Sequence, residues 1–383
     1  MMATAPAETP TERFEIVQGA DRLTEVGPAW QSLWREAGAL IFQSHGWIEA
    51  WWRMVADRER RTLLIVLAWR GDRLVAVLPL ATCRRSGLRL LEWAAKDHTD
   101  YGDALIAGTT DPLIIARMWR HVTAARGFDF VYLNRLLPTA AARVLLSPAA
   151  RSGLRSNHRI ETSYRVTGPF ASGDEWLQGH SKKTRQNYRR GQKFIAEQGA
   201  LSFRLLPPDE PRGPLLERLA ELKRKWLAAT GKVSDLYDDG SQTLAALVDV
   251  LAEAGILRIF VLECDGTAIA IAVNFEQAGR MMAFVTAYDP AFERGSPGMV
   301  LMVDYIQWSI DRGLDMVDFL CGAEPFKQRF ATSSVQMESA TGMRTLPGAV
   351  AVLADRAVET ARTLRARCTA PATAPARQAE AAE

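Results

Sequence analysis

The pattern that most constrains this chain is a short signature that occurs twice. Arg126-Gly127-Phe128-Asp129-Phe130-Val131 and Arg312-Gly313-Leu314-Asp315-Met316-Val317 share the form R-G-x-D-x-V, one copy in each half of the chain. In each copy a helical run ends at an arginine-glycine pair, glycine being suited to the left-handed position that closes a helix. A run with strand character follows, Phe128 to Leu133 in the first copy and Leu314 to Leu320 in the second. Each copy is preceded, at a similar offset, by a β-hairpin pattern of two apolar, β-branched-rich runs around a polar turn. The first hairpin is Leu63 to Ala68 and Leu74 to Leu80 around Arg70-Gly71-Asp72-Arg73; the second is Leu257 to Glu263 and Thr267 to Phe275 around Asp265-Gly266. One such signature is only a helix stop before a strand. Two features repeated in the same order point to one α/β unit present twice.

A length of 383 residues allows two or three domains at about 150 residues each. With 48% hydrophobic and 24% charged residues the chain is neither mainly disordered nor fibrous. A net charge of +3 gives no whole-molecule field for nucleic acid or anionic membrane, so any basic site must be local. Cys83, Cys264, Cys321 and Cys368 form no C-x-x-C pair, which indicates neither a zinc site nor a disulfide framework and suits a reducing, cytoplasmic setting. No metal is expected. Met1 to Pro10 has no basic start and no apolar run of a signal peptide. No apolar run approaches the ~20 residues that cross a bilayer, so membrane insertion is not expected.

Ser181 to Lys193 holds six basic residues and no acid. Helical spacing gathers them on one cationic stripe, which could hold a phosphorylated acceptor or RNA but is equally a solvated face. With Tyr188 its sole aromatic, a nucleic-acid partner is not expected. Leu216, Leu219, Leu222 and Trp226 mark the buried face of a further helix, Leu215 to Ala228. The expected organisation is a disordered start over 1–12, a first unit over 13–166, a second over 167–346, a helix over 347–370 and a disordered tail over 371–383.

The stretch 281–330 carries the most chemistry. A strand, Met281 to Tyr288, leads through Gly295-Ser296-Pro297-Gly298 into a helix that ends at Arg312, and the strand Leu314 to Leu320 is followed by Gly322, Glu324, Lys327 and Arg329. A glycine turn opening a helix leaves backbone N–H groups free for an anion such as phosphate. The common signatures of serine hydrolases, zinc peptidases, P-loop proteins and dinucleotide-binding folds are absent, and the five scattered histidines suggest no site.

The order of these pieces resembles the GNAT acyltransferases, in particular the tandem-GNAT, CelD/BcsL-type acetyltransferases related to the FemAB group. The resemblance covers about residues 14 to 345. It rests on Phe42-Gln43-Ser44 with Trp47 and Trp51-Trp52, on Asp100-Tyr101-Gly102-Asp103 and on the Ser181 to Arg190 run. Tyr288-Asp289-Pro290, Ser296-Pro297-Gly298 and Asp318-Phe319 through Gly322 to Lys327 complete it. It implies an α/β (α+β) fold of tandem GNAT-like domains, each a mixed twisted sheet flanked by helices, with the second carrying acetyl-CoA or another acyl-CoA.

In such a fold the two strands of the second unit splay apart to expose backbone for the pantetheine amides. The donor would be held by Val285, Thr286, Ala287, Gly295, Ser296, Gly298 and Met299. Transfer to an amine requires proton removal and a stabilised oxyanion. Asp318 or Glu324 is the candidate base, Lys327 or Arg329 a charge stabiliser, and a strand N–H near Val285 or Thr286 the oxyanion donor. Glu324 and Lys327 are also spaced for a plain i, i+3 ion pair. Asp100, Tyr101, Asp103, Arg185, Arg189 and Tyr288 are the candidate acceptor-binding residues, for a small molecule or glycan precursor of envelope or extracellular polysaccharide. Two departures stand out: 293–298 does not fit the GNAT phosphate motif Q/R-x-x-G-x-G/A in full, with Pro297 lacking an N–H, and Phe326 stands where the family usually has tyrosine. Two alternatives follow, a FemAB-like transferase drawing on aminoacyl-tRNA, and a binding protein that has lost catalysis.

Overall fold

The computed structural model describes residues 12–354 apart from 56, 158, 232–233, 238–241, 323 and 351. The strands in order are β1 (Glu12–Val17), β2 (Arg61–Arg70), β3 (Arg73–Arg85), β4 (Leu88–Trp93), β5 (Leu105–Ile106), β6 (Phe130–Leu136), β7 (Arg155–Ser156) and β8 (Glu161–Thr167). They continue with β9 (Leu201–Leu205), β10 (Leu257–Cys264), β11 (Thr267–Gln277), β12 (Arg280–Tyr288), β13 (Met316–Cys321) and β14 (Ser333–Met343). The helices are α1 (Ala20–Glu25), α2 (Gly27–Ala37), α3 (His45–Met54), α4 (Leu113–Ala125), α5 (Gly173–Gln178), α6 (Lys182–Ala196), α7 (Gly213–Thr230), α8 (Thr243–Glu253), α9 (Pro297–Asp311) and α10 (Pro325–Phe330). All fourteen strands join one sheet in the order β1-β2-β3-β4-β6-β14-β8-β13-β12-β11-β10-β9, with β5 on β3 and β7 on β14.

The repeated signature is the end of a parallel crossover in both halves. Among the described strands two neighbours run parallel, β4 with β6 and β12 with β13, and both pairs are bridged by a helix, α4 or α9. Gly127 and Gly313 hold φ of 96° and 75°, a conformation glycine adopts without strain. Both expected hairpins form, β2–β3 and β10–β11. The fold is therefore two GNAT-like units in tandem, each a mixed sheet flanked by helices. The strands of the signature start two residues later than the pattern suggests, at Phe130 and Met316, because the helix-closing turn consumes the first residues.

One long strand joins the units. The first part of β14 pairs with β8, Ser333 to Met337, and its later part pairs with β6 from Glu338 to Met343, with a register shift between Glu338 and Ala340. The residue-166 boundary falls inside β8, which lies between β13 and β14. Side chains from both units also share one apolar core. Trp30, Phe42, Trp47 and Trp51 pack in it with Leu247, Leu251, Phe275 and Met282, and Gln277 clamps the seam through Ile41 N–H and Ala39 C=O at 3.0 and 2.8 Å. The Phe42-Gln43-Ser44 motif serves this interface: Ser44 caps α3 by accepting from Trp47 N–H, and Gln43 donates to Tyr101 C=O at 2.7 Å. The expected start over 1–12 (apart from Glu12 in β1), Cys368, residues 355–370 of the expected helix and the 371–383 tail lie outside the described residues; 346–350 and 352–354 are helical.

Helix α6 packs on α9 and on the turn 290–295 that precedes it. A Cβ on Gly191 would lie 2.5 Å from Gly295 O, so this crossing requires glycine. Tyr188 donates to Asp304 Oδ1 at 2.5 Å, and Gln192 donates to the Tyr188 oxygen at 2.8 Å. Burial pushes the Asp304 carboxyl up to about 6, although the Tyr188 hydrogen bond works to lower it. An acid whose folded pKa exceeds its unfolded value, about 3.9, stabilises most at low pH, and that contribution is lost as pH rises through the folded value. Urea titrations of the natural protein and of Asp304→Asn should therefore show a stability difference that moves against the natural protein between pH 4 and 6.5. A difference constant across that range would contradict the assignment.

Candidate active site

In both units the parallel strands part after a few registers. β4 and β6 pair at Leu90 with Phe130 and Leu91 with Val131, and β12 and β13 pair at Arg280, Met281 and Met282 with Met316, Val317 and Asp318. The first gap is filled. The Trp93 indole donates across it to Asn134 O at 3.0 Å, and the chain returns so that Gly102 N–H donates to Arg135 O at 3.2 Å. A Cβ at Gly102 would stand 2.1 Å from Trp93 Nε1, so glycine is what lets the returning chain enter.

The second gap is open. From Ala283 to Tyr288, β12 pairs with β11 on one edge and, among the described residues, with no strand on the other. A cavity of about 610 Å³ opens there, lined by Ala283 to Tyr288 along the strand. Met302 and Tyr305 of α9 wall it on one sheet face, and Leu222 and Trp226 of α7 with Tyr237 on the other, so it passes through the sheet. Phe284 bulges from the ladder into this space, and the Trp47 ring of the first unit packs edge-on against it at 5.6 Å.

Of the expected donor-binding residues, Val285, Thr286, Ala287, Ser296, Gly298 and Met299 all line this cavity. Gly295 does not: it is buried, and a Cβ on it would meet Ile195 and Phe194 at 2.9 Å. The helix start also differs from expectation. Ser296 sits at φ 49°, Pro297 has no N–H, and Met299 N–H is turned back onto Ser296 O at 2.9 Å. Gly298 lines the cavity, and a Cβ there would stand 3.0 Å from Tyr288 Cδ1. Glu293 lies at the same end.

At the end of β13 the candidate catalytic residues separate. Asp318 is wholly buried and does not line the cavity. Its Oδ1 accepts from Tyr101 Oη at 2.7 Å, Ser163 Oγ at 2.8 Å and Leu320 N–H at 2.8 Å, and Arg165 Nε stands 3.0 Å from Oδ2. Buried beside Arg165 and outside the cavity lining, Asp318 cannot reach an acceptor in that cavity, so the expectation of Asp318 as base is corrected to a positioning role. Leu320, held by it, adopts φ 57°, which turns the chain toward Gly322. Glu324 and Lys327 do line the cavity. Their ion pair, 3.0 Å, is buried on the lysine side: Lys327 is 8% exposed and also donates to Cys321 O at 2.8 Å. A Cβ at Gly322 would lie 2.3 Å from Glu324 Oε2 and 2.7 Å from Lys327 Nζ, so the pair exists because residue 322 is glycine.

The first unit reaches the same place. Asp100 accepts from Cys321 N–H at 3.2 Å, lies 3.7 Å from Arg135 and feels the charge of Lys327. Burial raises its pKa despite these cations. Beside it the Cys321 thiol donates to Glu161 at 2.9 Å and burial pushes it up to about 12, which leaves it inert as a nucleophile. Tyr101 is buried against Asp318 rather than exposed to an acceptor. Asp103 turns away to accept from Ala141 and Ala142 N–H at 3.0 and 2.8 Å, and burial raises it to about 6. Arg185 caps α5 through Gln178 O at 2.7 Å and His180 O at 2.5 Å. Arg189 is exposed on the outer face of α6, and Arg329 is exposed and outside the cavity lining. Tyr288 is the expected acceptor residue that does line the cavity.

Lys223, Trp226, Tyr237 and Phe284 also line the cavity, although the sequence marks Trp226 only as part of a buried helix face. Trp226 closes the apolar row of α7 one turn beyond Leu222, and it falls past the sheet at the cavity rather than under it. Lys223 lies over both the Trp226 and Tyr237 rings, a placement that favours the cation through the ring quadrupoles. Arg135, Glu161 and Cys321 converge only through strand pairing between the units, and no local pattern marks them. Among the described residues no group of three or more His, Cys, Asp or Glu stands together as a metal cage, and no helix is long and apolar enough to cross a membrane.

Residues 182–328 match the family profile described as an acetyltransferase (GNAT) domain. The match falls within the second unit. It includes the open gap, α9 and the strand-end pair Glu324 and Lys327. No curated protein matches the sequence. Among solved structures, FemX aligns at TM-score 0.56 and 10% identity over 88% of this chain and 98% of its own. L-PGS from Bacillus licheniformis aligns at 0.53 and 13% over 87% and 96%. A C-terminal domain ascribed to a lysylphosphatidylglycerol synthetase of Agrobacterium fabrum aligns at 0.52 and 14% over 88% and 96%. At such identities these likenesses concern the fold, and they extend it over both units.

The strand end of the second unit depends on the first unit through Tyr101. Tyr101→Phe removes one donor from the buried Asp318 and should cost about 1–3 kcal/mol in urea unfolding. Tyr101→Phe with Asp318→Asn should cost less than the sum of the two single changes. Additivity of the two would show that the hydroxyl and carboxylate are not coupled.

Proposed function

We propose that this protein is an acyltransferase that draws an acyl group from a pantetheine thioester, acetyl-CoA or another acyl-CoA, and passes it directly to an amine or hydroxyl. The observation that carries this reading is the free edge of β12 from Ala283 to Tyr288 inside an open cavity. Unpaired strand N–H and C=O groups in an apolar slot seek partners, and the two amides of a pantetheine arm supply donors and acceptors along such an edge. The acyl carbonyl then lies by the bulge at Phe284, where a strand N–H near Val285 or Thr286 holds the oxyanion.

Glu324, half exposed at the mouth, takes the proton from the attacking nitrogen or oxygen, and Asp100 keeps a second carboxylate beside Lys327. The acyl carbon forms its new bond to the acceptor, the C–S bond breaks, and the electron pair leaves on sulfur. Lys327 faces this developing charge. Phe326 offers no phenolic proton, so the thiolate leaves without one from that position, which a thiol of pKa about 8.5 permits. The CelD/BcsL-like order of motifs supports a precursor of envelope or extracellular polysaccharide as acceptor.

Two variants separate donor binding from chemistry. Gly298→Val fills the space beside Tyr288 and should weaken acetyl-CoA binding at least tenfold in isothermal titration. Glu324→Gln should bind the donor as the natural protein does but lose on the order of 10²-fold or more in transfer rate, the usual scale for a positioned acid or base. No thioester binding up to millimolar concentration would refute the proposal.

A further inference from the structure

The phosphate end of the cavity and the charge outside it do not match. Free coenzyme A would bring a diphosphate there, yet in the first turn of α9 Pro297 has no N–H, Met299 N–H is turned back onto Ser296 O, and Glu293 lines the same end. Apart from the exposed Arg294 next to Glu293, the positive charge near this end lies on α6, whose Gly191 packs against Gly295. Tyr188, Gly191 and Ile195 form its buried face, while Lys182, Lys183, Arg189, Arg190 and Lys193 are exposed on the opposite side, with no acid within the helix. The fifteen residues of α6 make a stripe about 22 Å long, far longer than a nucleotide needs.

We propose that the donor is delivered by an acidic carrier protein, which docks on the outer face of α6 and inserts its acylated phosphopantetheine arm into the cavity between β12 and β13. This rests on reading the cavity as a pantetheine slot. A carrier-borne arm ends in a single phosphodiester, which asks less of this depleted helix start than a diphosphate beside Glu293 does. The affinity then comes from charge pairing between an acidic surface and the α6 stripe, which also raises the rate of encounter. RNA fits less well. Tyr188, the stripe's aromatic, is buried with its hydroxyl on Asp304, so no ring is presented for base stacking. In transfer, the thioester C–S bond of the carrier breaks as the acyl–acceptor bond forms, and the carrier departs with a free thiol bearing the acceptor's proton.

The test uses the full-length protein and its variant Lys183→Glu/Arg190→Glu/Lys193→Glu, whose changes lie on the solvent side of α6. Binding is measured at low salt to a bacterial acyl carrier protein bearing acetyl-phosphopantetheine, to acetyl-CoA, to S-acetyl-pantetheine and to mixed tRNA. The natural protein should bind the acetylated carrier at least tenfold more tightly than acetyl-CoA. The triple reversal should erase that advantage while changing S-acetyl-pantetheine affinity by less than twofold. Tight acetyl-CoA binding with no carrier binding would overturn this inference and leave the acyltransferase reading standing. Carrier affinity unchanged by the reversal, or tRNA bound more tightly than the carrier and lost on reversal, would also overturn it. Failure to bind any of the three thioesters would overturn both readings.

Discussion

The hydrogen bond from the Tyr101 hydroxyl to the buried Asp318 carboxylate is the contact on which the arrangement of this protein turns. It joins the two units at the point where their folds diverge. A charge taken out of water must be paired and hydrogen-bonded or it destabilises the fold by several kcal/mol, so Asp318 obliges Tyr101, Ser163 and Arg165 to converge on it. For Tyr101 to reach, the chain of the first unit must pass through its own gap beside Trp93, which Gly102 alone permits. The same contact thus closes one gap and sets the end of the strand that borders the other.

This explains why two units of one design differ in use. The parallel strands part in both, and an α/β sheet that parts exposes backbone groups that require partners. In the first unit Asn134 O and Arg135 O are satisfied internally by Trp93 and Gly102. In the second the edge of β12 remains available, and the first unit contributes Asp100 and the packing of Trp47 on Phe284 to its surroundings. One unit supports and the other carries the site. The shared strand β14 and the common apolar core make the pair mechanically one body, so the register of Lys327 against Asp100 is held by the whole sheet.

Much of this was legible in the sequence where the information is local. The R-G-x-D-x-V signature with its hairpins identified the duplicated unit, since helix closure and strand alternation each leave a short-range pattern, and most of the donor-site residues, Val285 to Ala287, Ser296, Gly298 and Met299, line one cavity. What remained hidden depends on contacts between distant segments. Asp318 at a strand end reads as an exposed acid until Tyr101, 217 residues away, is seen to occupy it. Asp103 and Arg185 read as ligand-binding groups because cap partners such as Ala142 N–H and Gln178 O are backbone atoms, which have no signature of their own. Arg135, Glu161 and Cys321 meet through the pairing of β6, β8, β13 and β14, which no spacing announces.

The central claim is that the second gap holds the thioester arm and the first does not. Hydrogen–deuterium exchange of the full-length protein, with and without saturating S-acetyl-pantetheine, tests it directly. The account predicts slower exchange in peptides covering 283–288 and 297–301, with 93–104 and 130–136 unchanged. Protection in the first unit's segments, or saturable binding with no protection along β12, would contradict it.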